Sequence, residues 1–340
     1  MKKTYYYLTL FLTLGMVLNL KVYSQVIRGT VLDNETNRPV AFASIYYHST
    51  FTGTIADESG NFGIASPGNK NMPLTISAIG YYSVTVTNYH HHTNLKIYLK
   101  PKVYEIEDAV IRARSLQRKR RRNLRIFREE FLGTTPNARA CEIMNEEDIT
   151  FNYDSDKDTL KAYAKKPIQL KNKALGYTIT YFLDKFEYYK QSNAVFFSGN
   201  FIFREDLSQN AANRSYYLMN REQTFHGSRM HLIRVLSSGI QNHSGFTIQD
   251  TTHQTLRIKD LVYTDEHRHK FLLNKGKLYV EYKPYGHPGE YSIRRSIIEF
   301  LRDTVYIDES GFFNPGLKWG GDLGQQRIAD WLPYEYLTND

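Results

Sequence analysis

The sequence predicts a mainly β protein of two units: an N-terminal seven-stranded β-sandwich, then an antiparallel, β-rich α+β domain with a short helical insert. Three observations predict this. Short alternating apolar and polar runs, separated by turn signals, recur from Val26 to Leu99 at the spacing of sandwich strands. Aromatic residues make up 14% of the 340 residues, chiefly 27 Tyr and 19 Phe, which suit half-buried pleated surfaces. Long aromatic strand patterns with hairpin chemistry then return after residue 140, interrupted by a stretch of helical periodicity. The length is enough for two domains.

Residues 1–24 read as an export signal. Lys2 and Lys3 form the basic start, Leu8 to Leu18 the apolar run, and Val22-Tyr23-Ser24 the cleavage site, leaving Gln25 first in the mature chain. The apolar run is short for a spanning helix, an uncleaved anchor being the alternative. No cysteine follows it, so a lipoprotein anchor is not expected. Loss of Lys2, Lys3 and Lys21 with the leader lowers the formal charge from +9 to +6, a local and modest excess that predicts no nucleic-acid partner. The single cysteine, Cys141, excludes an intramolecular disulfide and a cysteine zinc cluster; it reads as a small buried hydrophobe rather than a nucleophile.

The sandwich occupies residues 25–112. Its strands are expected at Val26–Val31, Val40–Tyr47, Gly53–Ala56, Phe62–Ile64, Pro73–Ile79, Tyr82–Thr87 and Leu95–Leu99. Pro39 sits before the second strand, where its missing N–H is harmless. Asp57-Glu58-Ser59-Gly60 has type I turn chemistry, with Asp first and Gly where positive φ is useful.

This stretch resembles the carboxypeptidase regulatory-like domain, a transthyretin-like β-sandwich found at the N-terminus of exported proteins and TonB-dependent transporters of Bacteroidota. The matching residues are Gly29-Thr30-Val31, Pro39-Val40-Ala41, Ala43-Ser44-Ile45, Gly53-Thr54, Asp57, Gly60-Asn61-Phe62 and Ser77-Ala78-Ile79-Gly80-Tyr81. These are turn and core positions, so the resemblance implies a fold and an address, with no catalytic residue in the domain. Val103 to Arg112 is similar to the acidic-then-apolar strand that precedes the plug in such transporters. About 230 residues follow it. That is few for a plug and a large barrel, and the C-terminus lacks the usual aromatic, so a transporter is not expected.

Residues 113–135 form a basic linker helix. Arg112, Arg114, Arg118, Lys119, Arg120, Arg121, Arg122, Arg125 and Arg128 accompany an apolar stripe of Leu124, Phe127 and Phe131, widened by Ile126 and Leu132 and ending near Gly133. Two uses fit. Over 116–132 the helix could touch anionic lipid headgroups or an acidic partner, or it could dock its apolar side on the following domain. In residues 136–340, strands are expected at Asp148–Tyr153, Leu160–Lys165, Tyr177–Tyr189, Ala194–Arg204, Phe246–Gln249, Lys270–Leu273, Lys277–Lys283, Ser292–Leu301 and Thr304–Ile307. Ser192-Asn193 marks a hairpin turn, and Asp308-Glu309-Ser310-Gly311 repeats the earlier turn chemistry. Helices are expected at Ser215–Gln223 and Ser228–Leu236. Arg128–Gly133, Ala174–Tyr177, Gly227-Ser228 and Arg327–Pro333 resemble pieces of the C-terminal region in Bacteroidota proteins that carry the same first domain, which implies architecture and address only.

Chemistry-bearing patterns are sparse. His287-Pro288-Gly289-Glu290 has the HxxE spacing of a metallocarboxypeptidase zinc site, but no His follows to complete it. His90-His91-His92 and the pair His267 and His269 could bind a metal adventitiously; the triple His lacks the scaffold and carboxylate partner of a built site, so a solvated loop is expected. His226 and His231 lie at a helix start and read as packing or capping residues. Asp154, Asp156 and Asp158 alternate as in a Ca²⁺ loop without its Gly and terminal Glu, so a polar hairpin tip is expected. Tyr188, Tyr189, Trp319 and Trp331 could stack on sugars if exposed; core positions are expected. No nucleophile elbow, Walker loop, Rossmann fingerprint or EF-hand is present.

The reading is a non-enzymatic binding or structural protein of the cell envelope, exported to the periplasm or outer membrane, with an envelope protein partner. No catalytic, cofactor-binding or metal residue and no cofactor is expected. The alternative is a hydrolase acting on peptide or glycan through the C-terminal domain. Replacing His287 and Glu290 with Ala should leave the metal content of the purified protein unchanged; stoichiometric zinc lost in the variant would restore the carboxypeptidase-type site.

Overall fold

Strand β1 (Val26–Asp33) alternates exposed and buried residues and sits between β4 (Asn61–Ala65), antiparallel to it, and β7 (Leu95–Leu99), parallel to it. In this computed structural model, residues 26–66, 72–87, 89, 94–102, 113–206, 211–284 and 293–338 are described. The export signal, Gln25, His90–His92, Val103–Arg112 and His287–Glu290 lie outside the described residues. The second layer runs β3 (Gly53–Ile55), β2 (Ser44–Tyr47), β5 (Leu74–Ser77), β6 (Val84–Val86), all antiparallel. Ile27, Val31, Ile45, Phe62, Leu74, Ile76 and Ile97 close the space between the layers. The seven-stranded sandwich expected from spacing is therefore present.

Strand β2 begins at Ser44 rather than Val40. Phe42 has φ +57°, outside the extended region, and Val40 N donates to Val31 O instead of extending β2. The two Asp-x-x-Gly turns are alike, as expected. Gly60 and Gly311 have φ +74° and +92°, each donates its N–H to the turn Asp carbonyl, and Asp57 and Asp308 accept the Ser59 and Ser310 amides.

Helix α1 (Ala113–Leu132) follows, rich in strong helix formers and ending before Gly133. Phe127 and Phe131 lie one turn apart with ring centroids at 4.9 Å, both fully buried. They pack on a six-stranded sheet: β8 (Cys141–Ile143), β11 (Ile168–Asn172), β12 (Tyr177–Tyr189), β10 (Thr159–Ala164) and β9 (Ile149–Asp154) in that order, with β13 (Ala194–Glu205) on the other side of β12. Phe127 meets Phe186 at 4.7 Å, and Phe131 meets Tyr181 at 4.9 Å and Phe197 at 5.4 Å. The apolar side of the basic helix is thus docked on the following domain.

The register of β12 against β13 shifts between Leu183 and Lys185, leaving Asp184 as the extra residue. In a regular strand Tyr181 and Phe186 would face opposite sides. The bulge changes parity, so Tyr177, Ile179, Tyr181 and Leu183 before it, and Phe186 after it, all enter the α1 core. Opposite it stands Gly199, where a Cβ would strike Phe182 O and the Tyr181 ring.

Beyond β13 come α2 (Ala211–Phe225) and α3 (Arg229–Ser238), longer than the expected helices but at the expected places. Ser228 caps α3 by accepting from His231 N at 3.1 Å. Leu232, Ile233 and Leu236 of α3 join a third core. It is formed with the sheet β14 (Phe246–Gln249), β17 (Lys277–Tyr282), β18 (Arg294–Phe300), β20 (Leu317–Gly320) and the sheet β15 (Val262–Thr264), β16 (Lys270–Leu273), β19 (Thr304–Ile307). Strands β8, β11, β15 and β20, of three to five residues each, are additional to those expected from sequence.

Phe131→Ala should cost roughly 3–5 kcal/mol, because its pocket between α1 and β12 is already filled by rigid rings. A lowered denaturant midpoint measures it, and Leu124→Ala, half-buried on the same helix, should cost clearly less.

Candidate functional site: the seam between sandwich and sheet

The loop after β2 carries the main contact between the sandwich and the six-stranded sheet. Thr50 shapes it: its N–H and Oγ1 both donate to Tyr47 O, and Oγ1 accepts Thr52 N at 3.1 Å. Ser49 takes φ +59°, which turns the backbone outward. Ser49 N then donates to Phe201 O and Phe203 N donates to Thr50 O, both at 3.0 Å. The loop so continues the sheet beyond β13, satisfying edge groups that would otherwise invite another chain. Both hydroxyl residues are buried.

Aromatic contacts surround these bonds. Tyr46 stacks on Phe182 at 5.4 Å, on the sheet face opposite α1. Phe51 lies 5.9 Å from Tyr177 and 6.3 Å from Phe203, and His48 meets Phe201 edge-on at 4.4 Å. Burial holds the His48 imidazole down to about 4, with Asn200 acting in the other direction. At the other end of the seam, Lys102 Nζ donates to Leu183 O at 2.9 Å and pairs with Asp184 at 3.3 Å. Burial raises the Asp184 carboxyl above its usual range; Lys102 and Ser83 partly offset this.

The C-terminal segment closes the seam from behind. Tyr334 N donates to Ser49 O at 2.9 Å, and Glu335 accepts Phe51 N at 2.9 Å. Trp331 lies 4.9 Å from Phe201, while Ile328 and Ala329 are fully buried in the α1 core. Asn172 donates to Ala329 O, and Arg327 to Glu130 O. Asp330 accepts from Thr135 Oγ1 at 2.8 Å and Asn137 Nδ2 at 3.0 Å, its carboxyl raised by burial. Arg221 holds Leu175 O and Gly176 O, pairs with Glu205 and covers the Tyr177 ring at 4.0 Å. Three of the segments singled out by sequence, 128–133, 174–177 and 327–333, thus meet around one core.

Between the units lies an open cleft of about 280 Å³. Ile79, Gly80 and Tyr81 line one side, Lys165, Lys166 and Pro167 the other, with Lys102 between; among the described residues no carboxylate or histidine lines it. The cleft is small against ordinary ligand pockets.

The sequence candidates are scattered. Cys141 is buried, its thiol pushed up to about 12 by burial and by nearby Asp330 and Glu142. His231 accepts Gly227 N at 3.1 Å among Phe225, Phe246 and Tyr282, and burial lowers it to about 3. Asp154 and Asp158 sit at the β9–β10 hairpin tip: Asp154 pairs with Lys161, and Asp158 with Lys190 and the Tyr153 hydroxyl. His269 pairs with Asp265 at 3.0 Å on a half-exposed turn. Among the described residues no group of three His, Cys, Asp or Glu side chains could hold a metal ion. Trp319 packs on Phe313 at 5.4 Å, Tyr188 packs at the edge of the α1 core, and Tyr189 is exposed with its hydroxyl on Glu187. The seam itself escaped sequence reading; Ser49-Thr50-Phe51 carries only an ordinary turn signal.

Residues 27–111 match the family model of the CarboxypepD_reg-like domain, over the stretch whose motifs carry that resemblance. No curated protein matches the chain. Among solved structures, a 9R-lipoxygenase from Cyanothece PCC8801 is similar at 9% identity and TM-score 0.19, covering 65% of this chain. This chain spans about half the length of that one, 47%. A protein of unknown function from Bacteroides fragilis NCTC 9343 is similar at 11% identity and TM-score 0.18, over 87% of this chain and 94% of that one. With TM-scores this low, neither likeness bears on fold or function.

Two outcomes follow from the seam. Above pH 6.5, His48 is neutral whether the chain is folded or not. Between pH 6.5 and about 4 only the unfolded chain takes up its proton, so stability falls as the pH falls through that window. His48→Phe should remove up to about 1.4 kcal/mol per pH unit of that slope, measured as denaturation midpoints from pH 7 to 4 in both proteins. Lys102→Ala leaves Asp184 buried without its cation and should cost roughly 1–3 kcal/mol, read from urea titration at pH 7.

Proposed function

We propose that this chain, with its carboxypeptidase regulatory-like module at residues 27–111, is a non-enzymatic binding and structural protein of the cell envelope. It is exported to the periplasm or the outer membrane, as in Bacteroidota proteins with this module, and its sandwich contacts another envelope protein. The observation that carries this reading is an apolar pair on the sandwich surface that the seam leaves uncovered. Phe42 is 65% exposed and Ile55 64% exposed. Ser44 pairs with Ile55 across β2 and β3, and Ala43 O accepts Ala56 N, so the two residues lie close along the backbone at the outer edge of that sheet. Phe42 is also held at φ +57°, a strain of about 1–3 kcal/mol for a non-glycine residue. Strain and exposed apolar area at one place suit a contact surface more than a solvated one.

Binding is favoured over hydrolysis of peptide or glycan by the placement of the titratable groups. Cys141 and Asp330 lie inside the core, and the cleft is lined by lysines and apolar residues.

The test is capture from an envelope fraction with wild type and with Phe42→Ser/Ile55→Ser, which removes the patch without touching the core. A partner retained at least about tenfold less by a variant of unchanged thermal midpoint is the expected result. Equal capture by both proteins would sink the patch as the contact surface. Turnover of a peptide or glycan panel that disappears in Asp330→Asn would establish the hydrolase instead.

A further inference from the structure

Helix α1 carries charges that do nothing for its own stability. Arg118, Arg121, Arg122 and Arg125 recur at i, i+3, i+4 and i+7, one exposed stripe about 10 Å long. None of the four has an ion-pair partner among the described residues. Among the described residues of the helix two further arginines are engaged: Arg120 donates to Ile149 O and Glu146 O at 2.7 Å each, and Arg128 forks onto the Glu146 carboxylate.

Like charges at these spacings repel and weaken a helix. The macrodipole makes matters worse. No acidic residue occupies the first turn and no basic residue the last, while Glu129 and Glu130 stand toward the C-terminal end. That charge order is the reverse of what the dipole favours. The helix is held instead by Phe127, Phe131 and Leu132 in the core. With its apolar side buried there, α1 has no face left to insert into a bilayer, and any contact through its outer side is one of charge.

We propose that the Arg118–Arg121–Arg122–Arg125 stripe is a peripheral contact for an anionic phospholipid surface, binding headgroup phosphates through guanidinium groups. Arginine offers a planar fork that pairs with phosphate on two bonds. The stripe runs along the exposed outer side of a helix, and an extended array of phosphates can engage all four guanidinium groups at once. The proposal rests on the envelope reading above for its setting, and its test is separable from that reading.

The test is sedimentation of purified protein with vesicles of phosphatidylcholine alone and with about 30% phosphatidylglycerol added. Binding is expected only with the anionic lipid, falling steeply between about 0.1 and 0.5 M NaCl as screening shortens. A fourfold Arg→Gln variant should bind roughly five-hundredfold more weakly, from about fivefold per basic residue near an anionic lipid surface. The matching Arg→Lys variant should keep most of the binding. The Phe42→Ser/Ile55→Ser protein should bind vesicles like wild type, which separates failure of this proposal from failure of the partner surface. Absence of binding to anionic vesicles, or equal binding by the Gln variant, overturns the proposal. Retention on polyglutamate beads without vesicle binding overturns it in favour of an acidic protein.

Discussion

One surplus residue in β12 sets the arrangement of the whole molecule. Asp184 breaks the register with β13, and the parity of the strand changes there. Tyr181 and Phe186 can then share one face and receive Phe127 and Phe131 of α1, while Phe182 keeps the opposite face and stacks on Tyr46. The bulge also presents a half-buried carboxylate to Lys102, at the point where the chain leaves the sandwich. A side-chain period of two makes such a sheet two-sided by necessity. The extra residue decides which aromatic goes to which neighbour.

The second constraint is the sheet edge. An outer strand such as β13 exposes unpaired backbone groups and invites another chain. Here two backbone bonds from Ser49 and Thr50 occupy part of it, and the C-terminal segment backs the same loop through Tyr334 and Glu335. Sandwich, sheet and C-terminal segment are therefore interdependent, since the loop is well satisfied only when all three are in place. The family to which residues 27–111 are matched supplies the sandwich. How that sandwich is built into the rest is a property of the particular loop and sheet in this chain.

Burial accounts for most of the perturbed ionisation in the molecule. His48 and His231 are held neutral, and Cys141, Asp184 and Asp330 are shifted upward. Each is surrounded by backbone donors, hydroxyls or rings that have an architectural use, the same reading that their lack of a shared cleft supports. Charge left over from architecture gathers on the outer side of α1 instead, where arginines stand against the helix dipole.

Much of this was legible in the chain itself. Alternation and Asp-x-x-Gly turns determined the sandwich, because turn chemistry and a two-residue period act locally. The aromatic hairpin 177–204 and the apolar stripe of α1 were readable for the same reason. The start of β2 was misplaced by four residues, since nothing local announces that Phe42 adopts positive φ. Short strands such as β11 and β8 form where β12 offers an edge to β11 and β11 in turn offers one to β8. The seam was invisible in sequence: Ser49, Thr50 and Phe51 meet residues 201, 203 and 335 only after the chain has folded. Local periodicity determined what each segment would become, whereas the docking of one segment on another depended on long-range complementarity that only the tertiary structure decided.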